Sequence, residues 1–234
     1  MMNATVEQQY DALKKRMERA TSKVGRRVEE IHVIAVTKYV SIQTANEAIK
    51  AGIAHIGENR LEGLLEKKAV IGDDATWHFI GSLQSRKVKD VIGHISVLHS
   101  LDRLSLAKEV QKRLVEREKT LDCFVQVNVS GETSKSGLAP EEVDSFIKAL
   151  AEYDRIRVIG LMTMAPYAEN AEETRPHFKA LKQLQQRIAD KEYVHAPCTE
   201  LSMGMSNDFE VAVEEGATYI RIGTILVGNE QVSE

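Results

Sequence analysis

The sequence is short of cysteine and of long apolar runs, and each shortage excludes a class of protein. Among 234 residues there are two cysteines, Cys123 and Cys198, too few for a disulfide framework and suited to a reducing compartment. No stretch approaches the roughly 20 apolar residues that a membrane-spanning helix needs. The first residues also lack the apolar core of a signal peptide. We therefore expect a cytoplasmic protein with no membrane partner.

An excess of charge of one sign is also missing. The 31 basic and 35 acidic residues leave a formal net charge of −4. Nucleic-acid binding consequently has no electrostatic support. Cysteines and histidines do not cluster at the spacing of metal ligands. We expect neither a nucleic-acid partner nor a metal site.

Short apolar strands alternate with segments of helical periodicity along the chain. Eight strands are predicted, at Val33–Thr37, Ala54–Ile56, His78–Ile80, Val97–His99, Cys123–Val129, Val158–Met162, Glu200–Met203 and Tyr219–Ile222. The helical segments between them include Ser41–Ala51, Arg60–Val70, Ser105–Glu118, Pro140–Tyr153, Arg175–Ala189 and Asp208–Glu215, and Val6–Val24 precedes the first strand. The pattern predicts an α/β protein, a (β/α)8 TIM barrel with an extra N-terminal helix, as one domain over residues 1–234. A doubly wound open sheet is the alternative.

Lys38 follows the first predicted strand directly. A lysine at the end of a buried strand is held by rigid backbone, and we expect it to be partly shielded from water. Shielding favours the neutral form of an amine, and a fixed neutral amine is what Schiff-base formation with an aldehyde requires. The alternative is a lysine that extends its side chain into solvent.

Two loops near the end of the chain combine glycine with hydroxyl side chains. Ser206 lies where a helix is predicted to begin, and Gly223 and Thr224 follow the eighth strand. Free N–H groups at a helix N-terminus, joined by a hydroxyl, form an anion site. TIM barrels frequently hold phosphate between the loops after strands seven and eight. The alternative for Ser206 is an ordinary helix N-cap.

Arg221 alternates with two isoleucines on the last strand, and this alternation points it into the barrel mouth. A buried arginine needs a partner, because burying an unpaired charge is costly. The partner is either a strand-end acid, such as Glu58 or Glu200, or a ligand with a ring nitrogen or an anionic group.

Other polar and soft side chains on the strands are assigned structural roles. We interpret His78 and His99 as hydrogen-bonded core histidines rather than catalytic bases. Four methionines at two strand ends are predicted to pack around a pocket: Met162, Met164, Met203 and Met205.

Together these segments resemble the pyridoxal-phosphate-binding homeostasis proteins, single-domain relatives of the alanine racemase N-terminal barrel. The matching segments run in order over nearly the whole chain: Ala35-Val36-Thr37-Lys38, Gly57-Glu58-Asn59, Trp77 to Lys87, Ser134-Lys135-Ser136-Gly137, Gly160 to Met164, Leu201 to Asp208, and Arg221-Ile222-Gly223-Thr224. The whole set of segments is specific for this family, whereas any single segment would be weak evidence for it.

The resemblance implies a cofactor, pyridoxal 5′-phosphate (PLP), and roles for matched residues. Lys38 would hold PLP as an aldimine. Ser206, Gly223 and Thr224 would bind its phosphate, in agreement with the anion site argued above. Arg221 would face the pyridine nitrogen.

The resemblance implies further contacts around the ring. Asn59 and Met162 would line the ring pocket, and Ser202, Met203 and Gly204 would complete the neighbouring loop. The function implied is PLP binding and intracellular vitamin B6 homeostasis.

Efficient catalysis is not expected. A cation beside the pyridine nitrogen discourages ring protonation and weakens the ring as an electron sink. Racemisation also needs a second acid–base group, which in alanine racemase is a tyrosine from a separate β-domain of the partner subunit. This chain has residues 225 to 234 after Thr224, and we expect no such domain. The alternatives are a PLP-dependent amino-acid racemase of low activity and a phosphate-binding barrel enzyme that uses no aldehyde cofactor.

The expected partners follow from a carrier role. PLP itself is the first, and apo-enzymes that use PLP are a candidate class of recipient. We expect a monomer, because the racemase dimer is built by the β-domain that the family lacks.

Overall fold

The computed structural model describes residues 4–132 and 135–230, and its eight parallel strands close into one barrel. The strands are β1 (His32–Val36), β2 (His55–Glu58), β3 (Thr76–Phe79), β4 (Val97–Leu101), β5 (Leu121–Gln126), β6 (Ile156–Met162), β7 (Glu200–Ser202) and β8 (Tyr219–Ile222). Each strand pairs with its neighbours in sequence, and β8 closes the sheet on β1 with Arg221 opposite Ile34. The predicted TIM barrel is confirmed, and the open-sheet alternative is wrong.

Helices cover the outside of the barrel. They are α1 (Val6–Lys23), α2 (Ile42–Lys50), α3 (Leu61–Ile71), α4 (Val88–Val91), α5 (Leu104–Val115), α6 (Val143–Ala149), α7 (Arg175–Ala189), α8 (Phe209–Glu214) and α9 (Thr224–Val227). The predicted N-terminal helix is α1, which packs against α8 and α9. Its capping box, with Thr5 and Gln8 bonded reciprocally, explains why it begins at Val6. No helix in the described part of the chain is both long enough and apolar enough to cross a bilayer.

Several predicted boundaries differ from the structure for identifiable reasons. Strand β2 runs on to Glu58, because that carboxylate is buried by an ion pair that apolar patterning cannot indicate. Helix α6 begins at Val143 rather than at Pro140, because the Glu142 carboxylate accepts a hydrogen bond from the Ala139 N–H (2.9 Å) and holds a preceding turn. The short helices α4 and α9 were not predicted, since four residues give no clear periodicity.

The main apolar core lies between the barrel and its helices, and the largest side chains buried there include Trp77, Phe178 and Phe209. The barrel interior contains a smaller apolar cluster: Val97, Phe124, Ile159 and Met162, with Tyr219 packed against it. The remaining space holds imidazole rings, whereas TIM-barrel interiors are dominated by branched aliphatic residues. A polar interior can be stable only if its hydrogen bonds are satisfied.

Glycine allows one close approach between barrel strands. Gly160 on β6 lies beside Glu200 on β7, and a Cβ atom at Gly160 would overlap the Glu200 backbone carbonyl. The pairing of these two strands therefore depends on the absence of a side chain at position 160.

Candidate functional site

A cavity of about 670 Å³ opens at the carboxyl ends of the strands. Six of the ten residues predicted for the site line it: Lys38, Asn59, Ser206, Arg221, Gly223 and Thr224. They come from the ends of four strands, β1, β2, β7 and β8. The barrel therefore brings together residues that are separated by up to 186 positions in the chain, from 38 to 224.

Lys38 lies in the turn that follows β1, and its side chain is exposed. The expectation that it is partly shielded from water is therefore wrong. The strand ends at Val36, so Lys38 is already two residues into the loop. Its Nζ lies 4.7 Å from the centroid of the Tyr39 ring, a cation–π distance. An exposed amine is open to a ligand entering the cavity.

A buried ion pair supports the backbone just before Lys38. Lys67 Nζ lies 2.9 Å from Glu58 Oε1, and the two side chains are only 6% and 1% exposed. The same carboxylate oxygen accepts a hydrogen bond from the hydroxyl of Thr37 at 2.5 Å. Thr37 is fully buried, so this network fixes the residue from which the Lys38 turn begins.

The last described residues fasten the other side of the same turn. The Glu230 N–H donates to the carbonyl of Tyr39 (3.1 Å). The Glu230 carboxylate accepts from the N–H of Ser41 at 2.8 Å and from the hydroxyl of Thr44. These bonds lower the pKa of the Glu230 carboxyl, with the Thr44 hydroxyl as the largest cause. The turn that carries Lys38 is thus held from both ends.

The residues of the predicted anion site lie on two short elements. Thr224 is exposed and begins α9, whose first N–H groups have no partner within the helix. Gly223 precedes it, and the N–H groups of Leu226 and Val227 both donate to the Gly223 carbonyl. Among the described residues, the N–H groups of Thr224 and Ile225 have no acceptor, and they are the donors available to a ligand at this end of β8.

Ser206 contributes from a turn rather than from a helix end. The N-cap of α8 is Asp208, so the alternative that Ser206 is an ordinary N-cap is wrong. The Asp208 carboxylate accepts from the N–H of Met205 (2.7 Å), and this bond closes the turn around Ser206. Burial raises the pKa of Asp208, and the Met205 N–H and the charge of Arg221 oppose that shift.

Arg221 is buried, with 4% of its surface exposed. Its Nη1 donates to Ser202 Oγ (2.6 Å) and its Nη2 to the carbonyl of Thr163 (2.8 Å). Neither Glu58 nor Glu200 pairs with it among the described residues, so the alternative of a strand-end ion pair is wrong. Burial lowers the pKa of Arg221 to about 10, which leaves the guanidinium charged at neutral pH. Two neutral acceptors hold this cation, and its other N–H groups remain for the cavity.

The other four predicted residues lie beneath the cavity wall. Met162 belongs to the apolar cluster inside the barrel, and Met203 to the core outside it. Ser202 is fully buried and contacts Arg221. Gly204 has φ of +90°, and a Cβ atom there would lie 2.5 Å from the Cβ of Ala212. The structure gives these residues supporting positions behind the lining, and their contact with a ligand stays a prediction.

Several lining residues were not predicted as part of the site. The loop after β6 contributes Pro166 and Tyr167, and Tyr167 is 81% exposed. Met164 in the same loop also lines the cavity, in agreement with the prediction that it packs around a pocket. Lys135 also lines the cavity, 3.6 Å from Glu132. Lys135 belongs to a motif that carries the family resemblance, and this was its available signal, whereas Pro166 and Tyr167 lie beyond the matching segment that ends at Met164. Ser134, from the same motif as Lys135, lies outside the described residues.

A line of histidines runs through the barrel interior toward Arg221. His55 Nδ1 lies 2.9 Å from His78 Nε2, and His78 Nδ1 lies 2.8 Å from His99 Nε2. His99 Nδ1 lies 2.9 Å from Ser202 Oγ, the atom that also accepts from Arg221. We call His55, His78 and His99 the histidine column. His78 and His99 are core histidines, as predicted, but their connection to Arg221 was not foreseen.

Comparison with known proteins gives consistent matches along the chain. A family model described as the N-terminal domain of alanine racemase matches residues 9–231. A pyridoxal phosphate homeostasis protein of Aquifex aeolicus is 41% identical over 217 residues, which cover 92% of this chain and 94% of that relative.

Solved structures show the same architecture. PipY of Synechococcus elongatus with PLP bound is 32% identical and superimposes with a TM-score of 0.79, over 91% of this chain and 100% of that chain. An alanine racemase of Clostridium difficile is 16% identical, with a TM-score of 0.71 over 91% of this chain and 54% of the racemase. At that identity the racemase likeness concerns the fold alone.

Proposed function

The chain belongs to the alanine racemase N-terminal domain family, and from this premise we propose that it binds pyridoxal 5′-phosphate and serves intracellular PLP homeostasis. One observation carries the proposal. A single cavity is lined by an exposed amine at Lys38, a hydroxyl at the start of a helix at Thr224 and a buried guanidinium at Arg221. An aldehyde, a phosphate and a pyridine nitrogen are the three groups of PLP that such a set complements.

The chemistry of the donors fits this cofactor at each end. Lys38 would hold the aldehyde carbon through a covalent Schiff-base link, because its amine is accessible and its turn is anchored. The free N–H groups at the start of α9, with the hydroxyls of Thr224 and Ser206, would hold the phosphate. Asn59 would line the ring pocket.

Arg221 would set the electronic character of the bound ring. PLP supplies an electron sink for reactions at the α-carbon of amino acids, and the sink is strongest when the ring nitrogen is protonated. Arg221 has only N–H donors and remains charged, so it would donate to the nitrogen and discourage its protonation. We therefore propose a carrier that holds the cofactor with little or no catalysis. The racemase alternative is not favoured, because the likeness to racemases concerns the fold alone.

Further features of the carrier are part of the proposal. We propose that residues 1–234 act as one domain, that the protein is a cytoplasmic monomer, and that apo-enzymes requiring PLP receive the cofactor. The apolar residues Met164, Tyr167 and Met205 at the cavity rim are all exposed, which is compatible with a recipient surface.

The proposal is tested by loading and transfer. Purified protein is incubated with PLP, freed of excess ligand and scanned in the visible range, and then mixed with a PLP-requiring apo-enzyme whose activity reports transfer. We expect a retained absorbance band and recovery of enzyme activity. The variant Lys38→Ala should lose the retained band. Lys50→Ala removes an exposed lysine from the end of α2, and as the matched control it should keep the band.

Two outcomes would contradict the proposal. Wild-type protein that retains no PLP would favour the phosphate-binding barrel that uses no aldehyde cofactor. Wild-type protein that interconverts L- and D-alanine or L- and D-serine would restore the racemase alternative, provided that Lys38→Ala abolishes this activity.

A further inference from the structure

We propose that the histidine column is a positioning device for Arg221, with its three rings locked in one tautomer so that the Ser202 hydroxyl accepts a hydrogen bond from the guanidinium. This inference rests on the proposed function for its ligand readout only. It assigns a role to His55, His78 and His99, none of which lines the cavity.

The direction of the hydrogen bonds follows from the end at Arg221. A guanidinium can only donate, so Ser202 Oγ must accept from Nη1 across 2.6 Å. The Ser202 hydroxyl then has one proton to donate. His99 Nδ1, at 2.9 Å, is its partner in the described part of the chain. His99 must therefore carry its own proton on Nε2.

The protonated nitrogen of each ring determines that of the next ring. His99 Nε2–H donates to His78 Nδ1 across 2.8 Å, so His78 carries its proton on Nε2. That N–H donates to His55 Nδ1 across 2.9 Å, and His55 is again protonated on Nε2. Every proton points away from Arg221, toward the amino ends of the strands. A neutral imidazole with one donor and one acceptor is the side chain that can continue such a chain.

The opposite direction leaves a buried group unsatisfied. If His99 Nδ1 donated to Ser202, the hydroxyl oxygen would accept from both His99 and Arg221. Its proton would then lack an acceptor among the described residues, although Ser202 is fully buried. An unmade hydrogen bond at such a place is strongly disfavoured.

The surroundings keep the rings neutral. Burial lowers the pKa of His78 and His99 well below the ordinary value, and neighbouring imidazoles add to the shift, with Arg221 contributing at His99. The ring of Tyr219 packs against His55 and His78 at centroid distances of 5.8 and 5.9 Å. Phe124 stacks on His99 at 4.5 Å. The rings are thus held in place by apolar contacts as well as by hydrogen bonds.

The consequence concerns the ligand side of Arg221. Ser202 and the Thr163 carbonyl together fix two corners of the guanidinium. If the hydrogen bond from the Ser202 hydroxyl to His99 Nδ1 were lost, the hydroxyl could rotate. The Ser202 oxygen lone pair would then no longer be directed at Nη1 of Arg221. Arg221 would then be less well aligned with the pyridine nitrogen of PLP.

The first test uses the unmodified protein without ligand. Long-range ¹H–¹⁵N NMR correlations of ¹⁵N-histidine-labelled protein report which nitrogen of each ring is protonated. We expect the neutral Nε2–H tautomer at His78 and His99 throughout pH 6 to 8. A neutral Nδ1–H tautomer or an imidazolium at either ring overturns the proposal, whether or not the protein binds PLP.

The second test asks whether a ring that does not touch Arg221 changes the PLP site. His78→Leu removes the middle of the column, His78→Gln keeps a donor and an acceptor, and His195→Gln alters a histidine elsewhere that bonds the carbonyl of Ile147. We expect His78→Leu to move the visible maximum of bound PLP and to weaken binding roughly threefold to tenfold, the equivalent of one impaired hydrogen bond. His78→Gln should recover part of both effects, and His195→Gln should change neither.

The outcomes separate this inference from the proposed function. An unchanged PLP spectrum and affinity in folded His78→Leu would overturn the positioning role. Wild-type protein that takes up no PLP would contradict the proposed function instead, and the NMR tautomers would then decide the column. If His78→Leu does not fold, the comparison of His78→Gln with wild type and the NMR result decide it.

Discussion

Breaking the buried pair between Glu58 and Lys67 should strongly destabilise the fold. Lys67→Met keeps most of the side-chain volume but leaves the Glu58 carboxylate with the Thr37 hydroxyl as its remaining close partner. The side chains of Lys67 and Glu58 are only 6% and 1% exposed. The cost of breaking this pair is therefore that of a buried ion pair and not the small cost of a surface pair. We expect the free energy of unfolding to fall by about 3–5 kcal/mol.

The assay is equilibrium unfolding in urea, monitored by the fluorescence of Trp77. Lys14→Met is the matched control, because it makes the same substitution in an exposed pair with Asp11 at 2.8 Å. The double variant Glu58→Gln/Lys67→Met removes both charges and should recover most of the loss. If Lys67→Met and Lys14→Met are equally stable, the reasoning from burial is refuted.

Three further predictions concern packing, thiols and pH. Gly160→Ala should force β6 and β7 apart and lower the free energy of unfolding by about 1–3 kcal/mol or more, and an unchanged melting temperature would contradict this. Burial raises the pKa of the Cys123 thiol, and it raises that of Cys198 to about 12. Both thiols should therefore resist a thiol reagent at pH 8 until the protein is unfolded. Rapid labelling of the native protein would show that the thiols are not buried. Burial lowers the pKa of His55 to about 4 and lowers that of His78 well below its ordinary value, so the unfolded chain takes up protons first as the pH falls. The free energy of unfolding should therefore decrease from pH 6.5 toward pH 4, and a constant value over that range, measured by urea unfolding, would exclude neutral buried rings.

The barrel could be predicted from the sequence because its signals are local. Apolar runs of strand length and helical periodicity repeat along the chain, and parallel strands bring their carboxyl ends to one face. Lys38, Thr224 and Arg221 could therefore be placed at the same end of the barrel from the sequence alone. The exposure of Lys38 could not, because it depends on β1 ending at Val36.

The interactions that support the site are not local, and sequence patterns could not indicate them. His99 and Ser202 are 103 residues apart, and their contact follows from strand order and register. Glu58 and Lys67 are nine residues apart but lie on a strand and a helix, where no periodicity pairs them. A single sequence does not indicate which residue a buried histidine or lysine contacts.

We propose above all that this cavity holds PLP on Lys38. The most direct measurement is borohydride reduction of PLP-loaded protein followed by mass spectrometry of its peptides, with Lys50→Ala beside Lys38→Ala. We expect the reduced phosphopyridoxyl group on Lys38, and we expect that of the two variants only Lys38→Ala loses it from the site. Equal labelling of wild-type and Lys38→Ala protein, with the label on another lysine, would contradict it.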